Sequence, residues 1–136
     1  RLHPLSGRVS HGPHGDRPRP DEVEIQGIVG DVAGKYAIIV DDLISTGNTL
    51  IAAAETCLAQ GATHVVALAT HGVFAEGAIE RLHASPIELT LVTDTIPIPA
   101  NAPGIEVVSI APMLSEVINR VHYGISVSDL VRDMMP

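Results

Sequence analysis

The chain contains no tryptophan, one phenylalanine and two tyrosines, so aromatic residues make up only 2% of its 136 residues. The core must therefore be built from the aliphatic residues that supply most of the 46% hydrophobic content. Cores of valine, isoleucine, leucine and alanine are typical of parallel sheets buried beneath helices. The composition thus favours an α/β fold.

Disulfides, long apolar runs and an excess of basic residues are also absent from the sequence. The single cysteine, Cys57, excludes an internal disulfide and suits a reducing compartment, so we expect a cytoplasmic protein. No apolar run approaches the roughly 20 residues of a membrane span, and no secretory signal is recognisable. The net charge of −8 argues against nucleic acid, whose phosphates need a basic patch, so we expect no nucleic-acid partner and, without an apolar run, no membrane partner.

The chain divides into two parts by composition. Residues 1–20 are rich in proline, glycine and histidine without periodicity, which predicts a flexible loop or frayed segment. Residues 21–136 are predicted to form one α/β domain. Because the sequence opens with Arg1 rather than Met, we expect it to be part of a longer protein or a processed chain.

Apolar patterns predict alternating strands and helices in this domain. Strands are predicted at Val23–Val29, Ala37–Asp41, His64–Thr70, Glu88–Thr93 and Ile105–Ile110, with Ala37–Asp41 buried. Helices are predicted at Leu50–Gln60, with Cys57 on its apolar side, at Glu76–His83, along the apolar stripe Leu114, Val117, Ile118 and Val121, and at Ser126–Asp133. Such alternation indicates right-handed crossovers and a parallel sheet, whose ligands lie beyond the carboxyl ends of the strands.

The most informative stretch, residues 38–49, reads Ile-Ile-Val-Asp-Asp-Leu-Ile-Ser-Thr-Gly-Asn-Thr. Here a strand ends in two acids and a short loop leads into a helix, whose unpaired N–H groups and dipole favour an anion. The loop hydroxyls add donors for phosphate oxygens, its glycine allows a close backbone approach, and the carboxylates suit sugar hydroxyls or a divalent cation. The pattern predicts a sugar-phosphate site formed by Asp41, Asp42, Ser45, Thr46, Gly47, Asn48 and Thr49.

A simpler interpretation makes the two acids part of a turn, with Thr46 or Asn48 only capping the helix. Two other phosphate-binding motifs are excluded by their missing residues. No Gly-Lys-Ser/Thr follows, as a Walker loop requires, and the Gly-x-Gly-x-x-Gly of dinucleotide-binding folds is absent.

Residues 38–49 resemble the motif that binds phosphoribosyl diphosphate (PRPP) in the type I phosphoribosyltransferase fold. Further segments resemble the C-terminal half of the ribose-phosphate diphosphokinases, or PRPP synthetases, in order and spacing. The similarity extends from about Glu22 to Leu130. It includes Gly30–Lys35, Thr70–Phe74, Thr93–Pro97, Ser109–Pro112 and Gly124–Ser128.

The resemblance implies a phosphoribosyltransferase-like, three-layer α/β domain of a homo-oligomeric enzyme of nucleotide biosynthesis. Such an enzyme transfers diphosphate from ATP, its co-substrate, to ribose 5-phosphate with Mg²⁺. It further implies that Asp41 and Asp42 hold the ribose or the metal, and that Arg17 and Arg19 act in the catalytic loop. His71, Ser126 and Ser128 would serve subunit contacts or regulatory phosphate binding.

One departure from the family keeps two alternatives open. The family's catalytic loop carries a Lys-x-Arg element, whereas the corresponding residues 14–20 contain Arg17 and Arg19 but no lysine. The ATP-binding elements of the family also belong to its N-terminal half. The alternatives are a phosphoribosyltransferase that consumes PRPP, for which no base-binding hood is visible, and a non-catalytic regulatory subunit of a PRPP synthetase complex.

Overall fold

The computed structural model describes residues 31–134 and contains a four-stranded parallel sheet with four helices. The strands are Tyr36–Ile44 (β1), His64–Gly72 (β2), Leu89–Thr93 (β3) and Ile105–Val108 (β4). The helices are Asn48–Ala59 (α1), Ala78–His83 (α2), Ala111–His122 (α3) and Val127–Met134 (α4). The predicted α/β class with a parallel sheet is confirmed. The strand predicted at Val23–Val29 lies outside the described residues.

The sheet register brings the carboxyl ends of the strands to one edge. The strands lie in the order β1-β2-β3-β4, and every neighbouring pair is parallel. Asp41 lies beside Ala69, which lies beside Val92, which in turn lies beside Val107. The segments that follow these four residues therefore leave the sheet at the same edge, as the sequence predicted.

The core lies between one face of the sheet and the helices α1 and α2, which cover that face. Its best-buried side chains are Ala54, Val65, Ala67, Ile44 and Val92, each no more than 1% exposed. Helix α1 packs against β1 and β2 with alanines and leucine inward. Cys57 belongs to this core, as its position in the helical pattern predicted, and burial raises the pKa of its thiol.

The opposite face of the sheet is open within residues 31–134. On β1, Ile38 and Val40 are 56% and 74% exposed, whereas the alternating Ala37 is buried. The prediction that Ala37–Asp41 is buried throughout was therefore wrong for one of its two faces. An apolar run predicts that both faces of a strand are covered, but it does not identify the part of the protein that covers each face.

Helix α3 is present where its apolar stripe predicted it, and Pro112 stands in its first turn. None of its residues is buried, and Leu114, Ile118 and Val121 are all at least 45% exposed. It packs on α4, and Arg120 links the two helices by donating to the Ser126 carbonyl oxygen at 3.1 Å. No helix among the described residues is both long enough and apolar enough to cross a bilayer.

Candidate phosphate-binding site

The loop between β1 and α1 places a left-handed glycine at the start of the helix. Gly47 precedes the helix with φ 79° and ψ −8°, a left-handed conformation that residues with a Cβ rarely adopt. Its carbonyl oxygen accepts the first helical hydrogen bond from Ile51 N at 3.0 Å. No side chain caps α1 and its first turn contains no acid, so its N-terminal dipole is not neutralised from within the helix.

The hydroxyl-bearing residues of this loop are exposed. Ser45, Thr46 and Thr49 are exposed, whereas Gly47 is buried and Asn48 is half-buried. Within residues 31–134, the backbone N–H groups of Thr46, Gly47 and Thr49 have no hydrogen-bond partner; the Asn48 N–H approaches Thr46 Oγ1 at only 3.5 Å. Unpaired N–H groups beside exposed hydroxyls form a suitable cradle for phosphate oxygens.

Asp41 and Asp42 lie within β1, because the strand continues to Ile44 before the loop begins. The turn interpretation of these two acids is therefore wrong. Asp41 is half-buried and its Oδ1 accepts the Asp42 N–H at 2.8 Å, while Asp42 is exposed. Both acids thus lie near the carboxyl end of β1, separated by Leu43 and Ile44 from the loop that starts at Ser45.

The donor set here suits magnesium only in combination with a ligand. No group of three or more His, Cys, Asp or Glu side chains is gathered for a metal within the described range. Magnesium, however, is typically held by one or two carboxylates while substrate phosphates and water complete its shell. The two carboxylates of Asp41 and Asp42 are too few for an all-protein cage, and their number equals what such a magnesium shell takes from the protein.

His71 and Asp94 lie at the ends of β2 and β3, and local hydrogen bonds fix both. The Nδ1 atom of His71 lies 2.9 Å from the Thr95 hydroxyl oxygen. Asp94 accepts the Ile110 N–H at 3.0 Å, and hydrogen bonds from Ser109 and then from this N–H lower the pKa of its carboxyl group. Asp94 thus ties the end of β3 to the start of α3.

A depression of about 330 Å³ lies on the open face of the sheet, next to the site. Asp41 and Thr70 stand among its lining residues, and the remaining lining is largely aliphatic, including Val40, Leu68 and Leu91. Its lining does not include the loop from Ser45 to Thr49. The depression therefore adjoins the acids and does not coincide with the phosphate cradle.

Helix α2 supplies two contacts with the loop that the sequence analysis missed. Arg81 Nη2 donates to the Thr46 carbonyl oxygen at 3.1 Å. A Cβ atom on Gly47 would lie 3.0 Å from Leu82 Cγ, so the buried leucine forms the floor of the loop. Because 35 positions separate Thr46 from Arg81, no local spacing rule signals this contact.

The remaining predicted site residues do not join this cluster in the described structure. Ser126 and Ser128 are exposed at the start of α4, which packs on α3. Arg17 and Arg19 lie outside the described residues. Their proposed roles are therefore not tested by the geometry.

A parallel sheet, paired acids within the last part of β1 and an uncapped helix start behind a left-handed glycine characterise an α/β domain of the phosphoribosyltransferase type. Residues 19–132 match the model of the phosphoribosyl synthetase-associated domain. Since the match covers most of the chain, the chain belongs to that family.

Curated relatives and a solved structure agree with this assignment. The chain is 50% identical over 115 residues to a ribose-phosphate pyrophosphokinase of Aquifex aeolicus, covering 84% of this chain and 37% of the relative. It is 51% identical over 116 residues to one of Caldanaerobacter subterraneus, again covering 84% and 37%. The crystal structure of phosphoribosylpyrophosphate synthetase from Mycobacterium smegmatis matches with a TM-score of 0.66 at 39% identity, covering 72% of this chain and 34% of that one. The chain thus spans little more than a third of the length of these relatives.

Proposed function

We propose that this chain forms the ribose 5-phosphate-binding part of a ribose-phosphate diphosphokinase, which makes PRPP for nucleotide biosynthesis. The observation that carries the proposal is the uncapped start of α1 behind Gly47, in the loop that follows the strand of Asp41 and Asp42. Similarity to ribose-phosphate pyrophosphokinases over most of the chain supports it.

In this reaction the O1 hydroxyl of ribose 5-phosphate attacks the β-phosphorus of ATP. The bond between the β-phosphorus and its bridging oxygen to the α-phosphorus breaks, AMP leaves, and the O1 proton is released. Catalysis of this kind depends mainly on positioning and on neutralising charge. ATP is a co-substrate, and a bound magnesium ion supplies positive charge to the phosphate oxygens.

The residues of the site divide into three roles. The loop from Ser45 to Thr49 binds the 5-phosphate through outward N–H groups and hydroxyls. Asp41 and Asp42 accept hydrogen bonds from the ribose hydroxyls or hold the magnesium ion beside them. Arg17 and Arg19 stabilise the charge on the transferring diphosphoryl group. With these roles, binding of the sugar phosphate and turnover are separable measurements.

The phosphate role is tested by Thr49→Ala, with Thr63→Ala as the matched control. Thr63 Oγ1 donates to the Lys35 carbonyl oxygen at the opposite edge of the sheet. Loss of one hydrogen bond to a charged group should weaken ribose 5-phosphate binding by ~1–2 kcal/mol in Thr49→Ala only. Calorimetry on the full-length natural protein measures this, and equal affinities in the two variants would remove Thr49 from the site.

The sugar role is tested by Asp42→Asn, with Glu55→Gln on the exposed side of α1 as a charge-matched control. Because Asp42 is exposed and has no ion-pair partner in the described part of the chain, its loss should leave the melting temperature nearly unchanged. PRPP formation should fall sharply in Asp42→Asn and stay normal in Glu55→Gln. A variant that melts much lower yet binds and turns over normally when folded would show that Asp42 is only structural.

A regulatory subunit without catalytic activity is the second candidate, and the absence of lysine from residues 14–20 favours it. ATP-dependent PRPP formation by the full-length protein separates the two functions. An active parent whose turnover falls in Arg17→Ala and Arg19→Ala, with binding retained, supports the synthetase. An inactive parent that binds ribose 5-phosphate supports the regulatory role.

We also propose that the protein is a homo-oligomer in which His71, Ser126 and Ser128 lie at subunit contacts or bind a regulatory phosphate. The exposure of the two serines supports this assignment. Light scattering on the full-length protein tests it, because a monomer at high concentration contradicts the proposal.

A further inference from the structure

The segment that joins β2 to α2 holds the first carbonyl groups of the phosphate-binding loop. The Ile44 carbonyl oxygen accepts from the N–H groups of Val73 and Phe74 at 3.0 and 3.1 Å. The next carbonyl oxygen, that of Ser45, accepts from Ala75 N at 2.9 Å. Phe74 adopts φ 45°, the only positive φ of a non-glycine residue in the described structure. This strained conformation accompanies three consecutive N–H groups aimed at the loop.

The carbonyl oxygens of Thr46 and Gly47 are also held, by a side chain and by the helix backbone respectively. The Gly47 carbonyl oxygen is taken by the first bond of α1, and the Thr46 carbonyl oxygen accepts from Arg81 Nη2 at 3.1 Å. The guanidinium group also donates to the Glu76 carbonyl oxygen from both terminal nitrogens, each at 3.3 Å. Arg81 therefore bridges the loop and the segment that precedes α2.

Fixing a carbonyl group fixes the N–H group that follows it. In a trans peptide unit, the carbonyl oxygen and the next amide hydrogen point in opposite directions. With its oxygen held toward α2, the Thr46–Gly47 peptide directs the Gly47 N–H away from α2. This N–H has no partner in residues 31–134 and belongs to the proposed phosphate cradle.

Gly77 leaves the space that Arg81 occupies. Its φ is +72°, and a Cβ atom at this position would lie 2.9 Å from Arg81 Nη1. A larger residue would therefore have to displace the guanidinium group from its two carbonyl acceptors. The glycine and the arginine thus act on the loop as one unit.

We propose that Arg81 is a positioning residue for the phosphate-binding loop, holding the Thr46–Gly47 peptide so that its N–H faces the bound phosphate. The proposal rests on the proposed function for the identity of the ligand, ribose 5-phosphate. It adds a residue of α2 that acts through the loop backbone and requires no contact with the substrate.

The test compares Arg81→Met with Lys35→Met in the full-length natural protein. Lys35 is an exposed cation near the opposite edge of the sheet, paired with Asp31 at 3.1 Å, so its loss changes the net charge equally. Binding of ribose 5-phosphate is measured by calorimetry, and PRPP formation is measured separately. Arg81→Met should weaken binding about tenfold, the value of one lost hydrogen bond from a charged donor, and raise KM more than it lowers kcat. Lys35→Met should bind and turn over as the parent does.

Arg81→Lys distinguishes positioning from a simple charge effect. A lysine keeps the charge but cannot make the forked contacts to two carbonyl oxygens. We expect Arg81→Lys to recover less than half of the lost binding free energy. Full recovery would show that charge alone suffices, and this result overturns the positioning role.

Gly77→Ala completes a double-mutant cycle with Arg81→Met. Gly77→Ala should weaken binding when Arg81 is present and have little further effect in the Arg81→Met background. Additive losses would show that the two residues act independently and would contradict the proposal. So would equal affinities in Arg81→Met and Lys35→Met.

The outcomes also separate this proposal from the proposed function. A parent that binds ribose 5-phosphate without making PRPP contradicts the synthetase activity, while the binding series still measures the role of Arg81. A parent that does not bind ribose 5-phosphate contradicts both proposals.

Discussion

Gly47→Ala is expected to damage the protein through two separate effects at one position. The residue has φ +79°, and a left-handed conformation costs an alanine about 1–2 kcal/mol. The added Cβ would also lie 3.0, 3.1 and 3.4 Å from three carbon atoms of Leu82. Leu82 is 2% exposed and has little room to move, so overpacking adds about 1–3 kcal/mol.

The free energy of unfolding should therefore fall by about 2–5 kcal/mol in Gly47→Ala. Gly124→Ala provides the control for backbone strain alone, because Gly124 has φ +67° and nothing within 4 Å of the added Cβ. This control should lose only about 1–2 kcal/mol. Urea denaturation of each variant, analysed with a common slope, measures the difference.

Equal losses in the two variants would refute the reasoning, because they would leave no cost for the contact with Leu82. Binding offers a second comparison. The strained loop should also bind ribose 5-phosphate more weakly in Gly47→Ala, whereas Gly124→Ala should bind normally. Normal binding by a stable Gly47→Ala protein would show that the loop does not need its left-handed glycine.

Three further predictions concern stability and reactivity. Hydrogen bonds depress the pKa of Asp94 below its ordinary value of 3.8, so the stability advantage of the parent over Asp94→Asn should be complete above that value. This difference in stability should disappear as the pH falls through the lower pKa of Asp94 in the folded protein. Denaturation midpoints of both proteins at successive pH values measure it. Cys57 should react with a thiol reagent only after unfolding, because burial keeps its thiol protonated and shielded; rapid reaction in the folded state would contradict its place in the core. Ile118→Ser should change the stability of the 136-residue chain by no more than about 0.5 kcal/mol, whereas Leu82→Ala should cost about 2–5 kcal/mol, and similar losses would contradict the exposure of α3.

The sequence was sufficient to predict the elements around the site because their signals are local. The alternation of apolar runs identified each described strand and helix, and the loop pattern identified Gly47 as the residue that allows a close backbone approach; its left-handed conformation is a finding of the structure. Errors of one or two residues occur where caps decide the boundary. Helix α1 begins at Asn48 rather than Leu50, and α2 begins at Ala78 because Gly77 precedes it with a positive φ.

Features that depend on contacts between distant residues were not predictable in the same way. The hydrogen bond between Arg81 and the Thr46 carbonyl oxygen joins two elements whose relative position only the fold determines. The exposure of Val40 and Ile118 likewise depends on what packs against them, and both residues have the apolar character expected of a core. Sequence patterns therefore located the loop of the proposed phosphate cradle but not the residues of α2 that contact it.

The order of the strands has a consequence for where a crevice forms. Because β1 to β4 step across the sheet in a single direction, right-handed connections place α1 and α2 on the same side. A right-handed connection covers the other face of the sheet where the next strand is added in the opposite direction. In this sheet, such a change of direction at the outer edge of β1 would lie next to the candidate site. A strand pairing there would send its connection over Ile38 and Val40. The connections to the two neighbours of β1 would then lie on opposite faces of the sheet. The Asp41–Thr49 segment, at the carboxyl end of β1, would line the crevice between these connections.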